Sequence, residues 1–133
     1  MKELYKYVQN MLSSDMVEFL TSFSLKNFSH GDSQAPLSSA SHSKTSDIYK
    51  HIIYYLQPIM EKETNLKLKP IYSYNRIYLG GSELKKHVDR KACEISASIT
   101  LKYFYKDPNY KWPLCMGDTP VVINTGDGVI YKG

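Results

Sequence analysis

The sequence predicts an α+β domain, with helices in the first half and an antiparallel rolled sheet in the second. Three observations predict it. Apolar residues recur at helical spacing as far as about residue 65 and at period two beyond it. Turn residues then punctuate the second half at short intervals. Finally, 133 residues, 42% hydrophobic and 23% charged, suit a single globular domain with one sizeable core. One domain is therefore expected, with a helical layer over about 1–65 and sheet strands over about 66–133.

The elements follow in order. Leu4, Tyr7, Val8 and Met11 have i, i+3, i+4, i+7 spacing and predict a first helix. Ser14 is placed to cap a second, with Asp15 in its first turn and Val17, Phe19, Leu20 and Phe23 as its apolar content. Residues 27–44 are rich in Ser, Gly, Pro and His and predict a long loop. A third helix starts near Ser46, with Ile48, Ile52, Tyr55, Leu56 and Ile59 as a broad apolar face. Pro58 inside it predicts a kink or an early stop.

The period then changes. Residues 71–79 alternate, with Tyr72, Tyr74, Arg76 and Tyr78 on one side, and Gly80-Gly81 suits a tight turn. Residues 93–105 alternate Ile95, Ala97, Ile99 and Leu101 against Ser96, Ser98, Thr100 and Lys102. Asp107-Pro108-Asn109 is a turn. Residues 120–124 and 128–131 are short strands separated by Thr125-Gly126-Asp127.

Charge and composition bound the function. A net charge of +4, with no basic run longer than two residues, gives a nucleic-acid partner weak support. Cys93 and Cys115 form no CxxC and no disulfide framework, which fits a reducing cytoplasm. The start lacks the continuous apolar core of a signal peptide. No apolar stretch approaches the ~20 residues of a membrane span.

The most informative motif is His87-Val88-Asp89, set between two strand-like runs. Residues two apart at a strand end point to the same side. An imidazole and a carboxylate so placed supply two of the three protein ligands of a non-haem Fe(II) site. The plain alternative is a solvated strand end that happens to carry His and Asp. His30-Gly31-Asp32 repeats the pattern but lacks a following strand to hold it, so a polar loop is the better reading there. Tyr78, across the Gly80-Gly81 turn, can offer its hydroxyl beside a metal; with 12 tyrosines in the chain, a packing role explains it as well. Arg76 suits an exposed sheet edge better than an anion site, and Cys93 a buried thiol better than a redox role. Trp112-Pro113 is expected to pack over the sheet, and Gly126-Asp127-Gly128 to turn between strands rather than bind a nucleotide.

The run YSYNRIYLGGSELKKHVDRKACEISASITL resembles the first half of the catalytic core of Fe(II)/2-oxoglutarate-dependent dioxygenases. It is most like the prolyl-4-hydroxylase-like branch found in phages and marine bacteria. The downstream piece WPL…TPVVINTGDGVIYKG is similar to the strand that leads into that family's second half. The resemblance covers about residues 66–133. It implies a double-stranded β-helix, a jelly-roll or cupin-like barrel backed by the N-terminal helices. It implies Fe(II) held by His87, Asp89 and a later histidine. It also implies 2-oxoglutarate as cosubstrate, met by a basic residue further on, with Tyr78 near it. The expected reaction is hydroxylation of a small molecule or peptide.

One departure stands out. No histidine occurs in 90–133, where the third ligand is expected, and Lys132 precedes that position. The expectation from sequence is therefore a truncated fragment lacking the last barrel strands. Such a fragment would be nearly inactive alone, would bind Fe(II) weakly, and would self-associate through an open sheet edge. A degenerate member that keeps the barrel as a non-catalytic binding or assembly module is the alternative. A site completed by His30 or His42, and a cupin of another reaction type, are weaker ones.

Overall fold

The computed structural model describes residues 5–27, 29–30, 40–43, 47–73, 75–78, 94–105, 107 and 109–133. Its elements run β1 (Tyr5–Val8), α1 (Ser14–Asn27), β2 (Ser29–His30), β3 (Ala40–Ser43), α2 (Asp47–Thr64), β4 (Asn75–Tyr78), β5 (Ile95–Ile99), β6 (Leu114–Met116), β7 (Thr119–Val121) and β8 (Gly128–Lys132). The architecture is mixed α/β, with two helices and small antiparallel sheets among the described residues. The chain gathers into two compact units, Met1–Thr21 with Arg90–Gly133, and Ser22–Asp89.

In the first unit β8 is the central strand, flanked by β1 and β5, both antiparallel to it. The helix predicted from Leu4, Tyr7, Val8 and Met11 is not formed: Tyr5–Val8 is a strand in register with β8, Tyr5 opposite Tyr131 and Tyr7 opposite Val129. Leu4 itself lies outside the described residues. Tyr-Lys-Tyr-Val also alternates, its aromatic and β-branched residues suit a pleated surface, and the tertiary ladder decides between the two periods. Tyr5, Tyr7 and Tyr131 pack with fully buried Val129 against Leu114 and Met116 of β6, Val121 of β7 and Ile123. The β6–β7 hairpin and the β1–β8–β5 sheet thus share one core. On the other face Met11 Sδ and Ile99 Cγ1 close on Gly128, and Ile130 is fully buried. Each such fully buried apolar side chain contributes about 1.5–3 kcal/mol.

Burial does not alternate along β5, where every residue is half-buried. Ser96 and Ser98 face the side of Tyr131 and Val129, while Ala97 and Ile99 face that of Ile130 and Gly128, so both faces are partly covered. The strand is shorter than 93–105. Beyond it Tyr103 stacks on Tyr105 at 5.3 Å, and Tyr105 meets the edge of Tyr110 at 5.0 Å. The expected turn at 107–109 is present: Asn109 N donates to Asp107 Oδ1 (2.9 Å) and Tyr110 N to the Asp107 carbonyl (3.1 Å). Trp112, expected over the sheet, is 40% exposed, and its amide donates to the Tyr105 hydroxyl.

α1 starts at Ser14, one residue after its cap. Ser13 Oγ accepts from Met16 N at 3.3 Å, so the cap is Ser13 and not Ser14. Val17 and Leu20 are buried, whereas Phe19, expected to be apolar content, is 58% exposed.

The second unit holds α2 and the sheet β2–β3–β4. Part of the stretch expected to be a loop is strand: β2 pairs with β3, and β3 with β4. Serine and histidine carry no apolar period, so the ladder was invisible locally. α2 continues six residues past Pro58 to Thr64, so no early stop occurs. It ends at Asn65, which takes a left-handed φ of 56° while its amide donates to the Glu61 carbonyl. Its buried residues are Tyr49, Leu56 and Thr64, and Tyr55 is exposed. The chain then returns along the helix, with Gln57 Nε2 on the Leu68 carbonyl (2.9 Å) and Leu68 N on Glu61 Oε2 (2.8 Å). Ser73 Oγ donates to the Tyr49 carbonyl. These bonds hold 66–73 outside the sheet, so β4 begins at Asn75 rather than at residue 71.

Candidate functional site

Of the predicted site, His87 and Asp89 lie outside the described residues, as do Asp32 and Cys93. Tyr78 is the last residue of β4, in register with Ala40 of β3. The segment 79–93 therefore joins the strand that ends at Tyr78 to the strand that begins at Ile95. Arg76, expected at an exposed edge, is half-buried with its Nε out of solvent. The same sheet places His30 and His42 on neighbouring strands, His30 opposite Ser41 and His42 opposite Ser29 and Arg76. Among the described residues no three His, Cys, Asp or Glu gather where they could hold a metal ion.

The best-defined polar constellation lies at the entry to β8. Asp127 N donates to the Asn124 carbonyl (2.9 Å), closing a turn whose third residue, Gly126, has φ +84°. A type II turn requires that positive φ. Thr100 N donates to the Asp127 carbonyl (3.2 Å) and Gly126 N to the Thr100 carbonyl (2.7 Å). Gly126 and Asp127 thus oppose the single residue Thr100, as in a glycine-led bulge. The Asp127 carboxylate is buried and engaged at both oxygens: Oδ2 by the Tyr7 hydroxyl (2.6 Å) and Oδ1 by the amide of Asn10 (2.9 Å). Asn10 holds a left-handed φ of 54°, which aims that amide. The Tyr7 oxygen accepts from Asn124 N (3.1 Å), and Leu12 N donates to the Gly126 carbonyl (3.2 Å).

This arrangement clamps the N-terminal strand to the β8 turn. Both carboxylate oxygens are occupied, so its role is structural. The sequence marked Thr125-Gly126-Asp127 as a turn but gave Tyr7 to a helix. Nothing local joins residues 120 apart.

Burial, and the hydrogen bond and charge of Asp127, raise the Tyr7 phenol above its usual value; the Asn124 amide partly offsets this. Burial likewise raises Tyr49, whose hydroxyl is bonded to Ser24. In both cases the fold favours the neutral phenol. The stability they contribute is complete below the unfolded phenol pKa of about 10 and is lost as pH rises through the higher folded values. Urea midpoints should therefore fall as pH rises above about 10, and less steeply in Tyr7→Phe and Tyr49→Phe. A midpoint indifferent to pH there, or an equal slope in both variants, contradicts this.

No protein-family model, no curated protein and no solved structure matches the chain.

Proposed function

We propose that the chain is an Fe(II)/2-oxoglutarate-dependent oxygenase domain of the prolyl-4-hydroxylase-like kind, acting on a small molecule or peptide. The observation that carries this reading is the composite run from Tyr72 to Leu101, with His87 and Asp89 between two strands. The donor chemistry fits: one imidazole and one carboxylate suit Fe(II). With iron and 2-oxoglutarate bound, O₂ would be the oxidant, one of its atoms entering the C–H bond as a hydroxyl and the other entering the succinate that leaves with CO₂. In this reading His87 and Asp89 hold the metal, and Tyr78 orients the cosubstrate beside it. The third protein ligand is unassigned.

A jelly-roll is the proposed architecture. What supports it is the order of pairing. β5 pairs with β8, while the intervening β6–β7 hairpin packs across the shared core. A Greek key requires its first and fourth strands to be neighbours in this way. No helix among the described residues is long and apolar enough to cross a membrane.

The absence of histidine from 90–133 favours one second reading, a binding or assembly module that keeps the barrel without the metal. Equilibrium dialysis of Fe(II) under anaerobic conditions separates the two. Oxygenase ancestry with a working site predicts weak binding that His87→Ala and Asp89→Ala each reduce. Binding indifferent to both substitutions, or none at all, overturns the oxygenase reading.

A further inference from the structure

We propose that β5 is the contact through which two copies of this chain pair, antiparallel, about a two-fold axis at Ala97. The inference rests on the sheet alone and is independent of the oxygenase reading. Glu94 accepts from Gly133 N (3.1 Å), and Thr100 both donates to the Asp127 carbonyl and accepts from Gly126 N. The even-numbered residues of this strand thus direct their amides and carbonyls to β8. By the alternation of an antiparallel ladder, Ile95, Ala97 and Ile99 direct theirs the opposite way. On that side no strand lies among the described residues.

The strand also lacks the devices that blunt an edge. Ile95–Ile99 carries no charge and no proline. Its sequence, Ile-Ser-Ala-Ser-Ile, reads the same in both directions. A two-fold contact must be self-complementary. With the axis at Ala97, Ile95 meets the partner's Ile99, Ser96 meets the partner's Ser98, and Ala97 meets its own counterpart. Apolar residues fall opposite apolar ones and hydroxyls opposite hydroxyls. Each outward-facing residue gives one donor and one acceptor, and each finds its complement in the partner. Glu94 falls opposite the partner's Thr100, so no like charges meet. A strand of another sequence would satisfy the backbone equally, but only a second copy satisfies this symmetry.

The register sets the test. In a hydrogen-bonded antiparallel pair the Cα atoms lie about 5.5 Å apart, within disulfide range. Only the residue on the axis meets its own copy. In a background carrying Cys93→Ser and Cys115→Ser, Ala97→Cys should form a disulfide-linked dimer on mild oxidation. Ser96→Cys and Ser98→Cys should each stay uncrosslinked alone and crosslink when mixed. Sedimentation of the unmodified chain should show a concentration-dependent mass approaching twice 15.3 kDa. Ala97→Pro removes an outward amide and spares the ladder to β8, so it should sediment as a monomer with an unchanged circular dichroism spectrum. A monomer at all concentrations overturns the proposal. So does a dimer that Ala97→Cys fails to link, or one that Ser96→Cys links by itself.

Discussion

Asp127→Ala lowers the stability of the chain by about 3 kcal/mol. The carboxylate is buried and takes one hydrogen bond from the Tyr7 hydroxyl and one from the Asn10 amide. Bonds to a charged group contribute roughly 1.5–3 kcal/mol each, and a buried donor left unpaired costs about 1–3. Asn10 is exposed, so water can take the place of the carboxylate at its amide, whereas the Tyr7 hydroxyl lies on a half-buried residue. The loss therefore sits at the lower end of the sum of the two bonds, about 3 kcal/mol. Asp127→Asn keeps the shape and one acceptor, and should lose about half as much. Urea unfolding of both variants reads the difference. A loss below about 1 kcal/mol for alanine would mean that the clamp does not hold β1 to the β8 turn.

His87→Ala reduces Fe(II) affinity by at least about 10–100-fold. Substituting even the outer partners of a metal ligand costs about that much, and His87 is proposed as a direct ligand. With only two protein ligands proposed, each would carry a large share of the binding. Asp89→Ala removes the charge that offsets the cation and should cost at least as much. Competition dialysis of Fe(II) against each variant reads the ratio. An affinity within about threefold of the unsubstituted chain would remove His87 from the site.

What was legible in the sequence follows from the range of each signal. β8 and the turn before it were readable because Gly126 and Asp127 punctuate a short β-branched run, and all of that information is local. α2 was readable from its apolar stripe, although Pro58 suggested a break that does not occur within it. β1 was not readable, because its four residues fit both periods and the partner that decides lies more than 100 residues away. β2 and β3 hide in a serine-rich stretch because their pairing uses backbone, not apolar side chains. The β6–β7 hairpin carries a local signal: Gly117-Asp118 joins Met116 to Thr119, and Gly117 has φ 62° at the first turn position, as a two-residue hairpin loop demands. For the site, His87 and Asp89 remain a reading of the sequence, since both lie outside the described residues. The Asp127 clamp was not legible, since Tyr7 and Asn10 reach it only through the folded sheet.

The most direct test of the account is a titration of 2-oxoglutarate into the chain under anaerobic conditions, followed by calorimetry, with and without Fe(II). A cosubstrate that binds through the metal is linked to it, so each must strengthen the other's binding by the same factor. Heat of binding is expected in the presence of Fe(II), little without it, and none in His87→Ala. Binding of 2-oxoglutarate that is equal with and without Fe(II), or absent at saturating Fe(II), would contradict it.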